Sequence, residues 1–120
     1  MEWKIDSSRP VYQQIMEHIC EAVLSNEYPP GSRIPSVRDL AAKWKVNPNT
    51  IQRAMTELEQ QRLLISNGTL GKYITEDLAV IDTKRRGAIR ALVQESKAKF
   101  RALGLSMQEA AQLLLEEEVE

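Results

Sequence analysis

The 120-residue chain predicts a mostly α fold with a small β wing: an N-terminal winged helix-turn-helix over residues 1–75, followed by a C-terminal two-helix hairpin over residues 76–120. Three observations predict it. The run from Ile34 to Leu64 reads as two short helices around a tight turn, with an acid-free polar stripe on the second. A strand, a glycine-bearing turn and a second strand come next. Beyond Thr75 the composition becomes acidic and helical, broken at Gly104.

Trp3, Lys4 and Ile5 alternate as in a short strand, and Asp6-Ser7-Ser8-Arg9-Pro10 is a turn into a helix from about Pro10 to Ser25 that buries Val11, Ile15, Ile19 and Val23. Two prolines and a glycine in Glu27-Tyr28-Pro29-Pro30-Gly31-Ser32 then break the chain. Ser36 can accept a bond from an orphan backbone N–H, and Asp39 sits where a capping-box carboxylate reaches back. This helix has Leu40 and Ala41 on its apolar face and stops near Trp44 or Lys45. Asn47 caps the next helix, and Pro48 takes the first helical position, where a missing N–H costs nothing. That helix runs to about Gln61. Leu63 to Ile65 and Lys72 to Thr75 read as strands around the tip Ser66-Asn67-Gly68-Thr69-Leu70-Gly71.

The long C-terminal helix is expected from about Leu78 to Leu103, with Ile81, Ala88, Leu92, Phe100 and Leu103 near heptad spacing and Ile89 and Val93 widening the stripe. Gly87 is an anomaly inside it, and Lys84-Arg85-Arg86 is a solvated face or a support for DNA backbone. Ser106 and Glu109 form a second capping-box pattern, opening a helix in which Met107, Ala110, Ala111 and Leu114 share a face. Glu116 to Glu118 with Glu120 make a solvated acidic tail. So short an appendage has too little of its own domain to cover these apolar faces, so a symmetric homodimer is expected.

On the second helix of the pair, Ile51, Ala54, Met55 and Leu58 fall on one side and Asn49, Gln52, Arg53, Thr56 and Gln60 on the other. Amides, a hydroxyl and a guanidinium suit base edges and phosphates, and the acids Glu57 and Glu59 lie on the flanks near the far end. An amphipathic helix with a solvated polar face fits this helix alone equally well. The wing breaks the tie: Gly68 and Gly71 give its tip a permissive backbone, and Thr69 and Lys72 could meet phosphate or the minor groove. A plain hairpin closing a small core is the alternative for any one tip residue.

From Val11 to Thr75 the chain resembles the DNA-binding domain of the GntR family of bacterial transcription regulators. The resemblance rests on Ile34-Pro35-Ser36, Arg38, Leu40-Ala41, Val46, Thr50-Ile51-Gln52, and Gly68 with Gly71. Pro48 and Gln52 stand where the family commonly has arginine, both in reading positions, and a glycine usual near Arg62 is missing, which implies a local change in the approach to the wing. Val46-Asn47-Pro48-Asn49-Thr50 and the short C-terminal region are similar to the YtrA subfamily, so base preferences of other branches do not transfer.

The resemblance makes Arg38 the strongest candidate DNA contact, against a solvated arginine bridging Asp39 or Glu57. With it stand Ser36, Asn47, Asn49, Thr50, Gln52, Arg53, Gly68, Thr69 and Lys72. A dimer would place two such helices in successive major grooves of a pseudo-palindromic operator. Bound over a promoter it would block polymerase, so repression is expected, and the subfamily implies transporter operons. A small-molecule effector is compatible with this reading, but no pocket chemistry names one.

The formal net charge is −1, so bulk charge does not announce nucleic acid; from Arg33 to Lys72, however, seven Lys or Arg face three Asp or Glu, a local balance of +4. No apolar stretch is long enough to span a membrane, and Glu2, Lys4 and Asp6 break any signal-peptide pattern, so a cytoplasmic protein is expected. Cys20 shares a helical pattern with Ile15, Ile19 and Val23 and reads as a reduced near-core residue, with a redox sensor as the alternative. One histidine, His18, and one cysteine supply neither a metal site nor a nucleophilic triad, so no cofactor and no enzymatic activity are expected. A winged helix serving as a protein-interaction module is the competing function.

Overall fold

The structure is a computed structural model and describes residues 3–116; the acidic tail beyond Glu116 lies outside the described residues. In chain order the elements are α1 (Val11–Leu24), α2 (Val37–Trp44), α3 (Pro48–Gln60), β1 (Leu64–Ser66), a 3₁₀ turn (Gly68–Leu70), β2 (Lys72–Ile74), α4 (Leu78–Ala102) and α5 (Met107–Glu116). The fold is thus mostly helical with a small wing. Contacts divide it into two compact units, one ending at Lys84 and the other starting at Arg85, so the opening turns of α4 belong to the first.

In the first unit α1 and α2 both pack on α3. Ile15 and Ile19 of α1, Leu40 of α2, and Ile51, Met55 and Leu58 of α3 are fully buried, joined by Leu63, Leu64 and Ile74 from the wing base. Each such side chain removes enough apolar surface from water to contribute roughly 1.5–3 kcal/mol. The 3.6-residue spacing on each helix selects these residues for the inner face.

Two polar arrangements at the N-terminal end are not readable from apolar spacing. Gln14, on the buried face of α1, takes a bond from the Asp6 N–H (2.7 Å) and donates to the carbonyls of Asp6 (2.6 Å) and Arg9 (3.1 Å), which clamps the turn preceding the helix. The expected strand over Trp3 to Ile5 does not form. The Trp3 ring instead stacks on His18 with centroids 4.3 Å apart, and Trp44 meets both edge-on at 5.2 and 5.1 Å. Aromatic contact of this kind adds to area burial and holds the segment against α1 and α2 rather than in a sheet.

The strands pair antiparallel, Leu64 opposite Ile74, Ile65 opposite Tyr73 and Ser66 opposite Lys72. The segment before α2 adds a third, irregular edge: Ile34 N–H donates to Lys72 O (3.0 Å), Ile74 N–H to Ser32 O (2.8 Å) and Gly31 N–H to Ile74 O (2.9 Å).

In the second unit, α4 ends on Gly104 at φ 82°, with Leu105 N–H reaching Phe100 O (3.0 Å) and Gly104 N–H reaching Arg101 O (2.9 Å). This pair of bonds satisfies the last carbonyls, and only a residue tolerant of positive φ holds it without strain. Residues 103–106 then lead into α5, where the capping box closes both ways: Glu109 N–H donates to Ser106 Oγ and Ser106 N–H to Glu109 Oε1, each at 3.1 Å. Of the apolar positions predicted for dimerisation, Ile81 is buried in the core of the first unit. Ala110 is buried, Phe100 and Met107 are half-buried, and Ala88, Ile89, Leu92, Leu103, Ala111 and Leu114 are exposed.

Candidate nucleic-acid interface

The presentation of α3 is set by its neighbours in sequence. Ser36 Oγ accepts from Asp39 N–H at 3.0 Å and starts α2. Lys45, at φ 56° and ψ 49°, makes the left-handed turn, with Val46 N–H bonded to Ala41 O at 3.1 Å. Asn47 Oδ1 accepts from Asn49 N–H at 2.8 Å, and Pro48 begins α3. Both caps fall where local chemistry predicts them, but at α2 only the Ser36 hydroxyl half of the expected capping box is made, with no bond from the Ser36 N–H to the Asp39 carboxylate among the described residues; the core residues of α3 turn its other side outward.

On that outer side Asn47, Asn49, Gln52, Arg53, Thr56 and Gln60 are exposed and Thr50 is half-buried. The Thr56 hydroxyl donates to the Gln52 carbonyl (2.9 Å), and Gln52 Nε2 lies 3.4 Å from that hydroxyl, so the Gln52 amide is steered along the helix. Ser36 and Arg38 are exposed at the start of α2, and among the described residues no ion pair or hydrogen bond holds the Arg38 guanidinium, neither Asp39 nor Glu57 included.

Arg53 is placed differently. Its guanidinium carbon sits 3.7 Å from the centre of the Tyr12 ring, a cation–π contact that ties α3 to the first turn of α1. Pro10, Val11, Tyr12, Asn49, Thr50 and Arg53 line one shallow recess, which brings α1 into the polar surface around the start of α3. Sequence reasoning missed Tyr12, whose only signal is an aromatic at the edge of the buried stripe of α1.

At the wing, Gly68 (φ 55°) and Gly71 (φ 109°) take conformations that side chains disfavour, and Thr69 is exposed between them. A Cβ on Gly71 would come 2.9 Å from Arg33 Nε, so Gly71 also makes room for that side chain. Arg33 thereby joins the wing through the pairing of residues 31–34 with β2, which nothing in the sequence announces. Lys72 is half-buried, its ammonium paired with Glu59 and bonded to Ser66 Oγ (3.2 Å). Arg62 has φ 66°, with Leu63 N–H on Leu58 O (3.0 Å) and Arg62 N–H on Glu59 O (2.9 Å). This answers the missing glycine: Arg62 itself bends into the left-handed region, and the chain makes a hydrogen-bonded left-handed turn from α3 into the wing, at a conformational cost.

The model of the bacterial regulatory proteins of the gntR family matches residues 11–74. The chain belongs to the GntR family. The resemblance extends beyond that domain: the HTH-type transcriptional regulator YhcF of Bacillus subtilis is 33% identical over 109 residues, 91% of this chain and 90% of that protein. The HTH-type transcriptional repressor YtrA of the same organism is 39% identical over 71 residues, 59% of this chain and 55% of YtrA, and this GntR chain is of the YtrA-like branch. A GntR family transcriptional regulator from Listeria monocytogenes superposes with a TM-score of 0.85 at 32% identity, covering 95% of this chain and all of that one. The DNA-binding domain of AraR, solved in complex with operator ORX1, superposes at 0.54 and 25% identity over 62% of this chain and 92% of that domain. This GntR chain is a DNA-binding transcription regulator with double-stranded DNA as its partner, and not an enzyme.

Two remaining expectations concern chemistry outside the interface. Cys20 is half-buried on α1, and burial pushes its thiol above the ordinary value, outweighing the nearby Lys84. The reactive thiolate of a redox sensor is disfavoured there. No described helix is long and apolar enough to cross a membrane.

Proposed function

We propose that this GntR chain is a sequence-specific repressor that binds a pseudo-palindromic operator as a homodimer in the cytoplasm. The observation that carries the reading is the exposed amide stripe of α3, presented by the Ser36 and Asn47 caps on a fully packed inner face. Asn49 and Gln52 are assigned to base edges, where a good bidentate pair discriminates by roughly 1–3 kcal/mol. Ser36, Arg38, Asn47, Thr50 and Thr69 are assigned to the phosphate backbone, with Gly68 allowing its close approach and Arg53 held ready beside Tyr12. The exposed Ile89, Leu92, Leu103 and Leu114 are assigned to the second copy. The YtrA relationship supports repression and control of a transporter operon, and a small-molecule effector would release or promote binding.

The test is fluorescence anisotropy with duplex DNA from upstream of the gene against scrambled duplex of equal length, across a salt series. Expected is competitor-resistant binding to the upstream DNA that falls roughly tenfold in Asn49→Ala and Gln52→Ala. Binding to neither duplex at low salt would transfer the reading to a protein-interaction module.

A further inference from the structure

We propose that Glu59, Ser66 and Lys72 form a latch that fixes the wing to the far end of α3, so that Lys72 serves DNA binding as a positioning residue rather than as a phosphate contact. The inference rests on the DNA-binding reading for its consequence and on geometry for the latch. Ser66 and Lys72 face each other across the last rung of the hairpin before its tip. One carboxylate from α3 holds both: Glu59 pairs with the Lys72 ammonium through Oε1 and accepts from Ser66 Oγ at 3.1 Å through Oε2. Lys72 Nζ closes the triangle onto Ser66 Oγ at 3.2 Å.

The side chains of Lys72 and Glu59 are only 19% and 28% exposed, so the pair is partly withdrawn from water and weakly screened. A lysine so placed is already neutralised, and it would have to abandon two partners to reach a phosphate. The hairpin itself is short, three residues a side; the core holds its base and residues 31–34 the outer edge of β2, while among the described residues its last rung on the β1 side has only the side chains of that rung to tie it to α3. The latch supplies an anchor at the end where the tip glycines begin, and it makes an acidic residue favourable beside DNA. Charge alone predicts the opposite, since removing a carboxylate near a phosphate backbone raises affinity.

Amide exchange in the full-length chain by NMR tests the latch without DNA. The probe is Asn67 N–H, bonded to Gly71 O at the tip, with Thr75 N–H, bonded to Leu63 O at the wing base, as control. In Glu59→Gln the Asn67 amide should exchange about fivefold faster with Thr75 unchanged. The reversed pair Glu59→Lys with Lys72→Glu should restore protection. Unchanged Asn67 exchange, an equal rise at Thr75, or failure of the reversed pair overturns the latch. Binding to a duplex selected from a random pool by the wild-type chain tests the consequence. Glu59→Gln should weaken it several-fold and the reversed pair should recover it, whereas tighter binding by Glu59→Gln overturns the positioning role. If the wild-type chain selects no duplex, the DNA reading fails on its own and the exchange result still decides the latch.

Discussion

The two units solve the same problem differently. Up to Lys84, the apolar stripes of three helices and a wing meet one another, and Leu40, Ile51 and Leu63 are left without exposed surface. From Arg85 on, equally apolar side chains lie open: Leu92 is 62% exposed, Leu114 70% and Leu103 79%. The first unit is large enough to bury its own core; the second consists mainly of two helices, and a helix pair of that size covers little of what it carries. The difference teaches where apolar surface is covered within the unit and where it is left open.

The largest effect that would sharpen this contrast is Leu40→Ala, which should lower the unfolding free energy by about 2–5 kcal/mol in urea titrations, independent of protein concentration. Leu92→Glu is the counterpart. It should leave the thermal stability of the winged helix within about 0.5 kcal/mol while shifting the chain to monomer in sedimentation velocity. A full loss of folding in that variant, or an unchanged sedimentation coefficient, breaks the comparison. Arg62→Gly should raise stability by roughly 0.5–1 kcal/mol, because the left-handed turn it occupies strains any residue with a Cβ. A loss instead would show that the arginine side chain offsets that strain.

The smallest effect concerns acid. The Glu109 carboxyl is held below its ordinary value of 4.5 by the Ser106 N–H and then the Ser106 hydroxyl. A lowered carboxylate contributes while it is ionised, so the cap of α5 keeps its support above pH 4.5 and loses it as the pH falls through the folded-state value. Amide exchange at Glu109 and Ala110 should rise over that window and stay level in Glu109→Gln. The caps of α2 and α3, made by a hydroxyl and an amide, should not respond.

The sequence made the motif legible because its signals are local. Ser36, Asn47 and Pro48 act within three residues of themselves, and the inner face of α3 follows from helical spacing alone. What escaped depends on partners distant in sequence or on side-chain direction. Gln14 looks like a surface amide until the turn at Asp6 folds back on it. The Glu59 carboxylate beside Lys72 and the Tyr12 ring under Arg53 likewise come from other elements, and spacing along the chain does not announce them. Ile81 lies on the same heptad-spaced stripe as Leu92 and yet is buried in the core of the first unit, because spacing along a helix does not say which unit its first turns join.

A two-stranded ribbon has two raw edges, each a row of unpaired amides and carbonyls on which a strange chain can grow. In this molecule residues 31–34 occupy the outer edge of β2 with three hydrogen bonds. A protein that carries so much bare leucine in its C-terminal helices is thereby denied one route to polymerising through its wing.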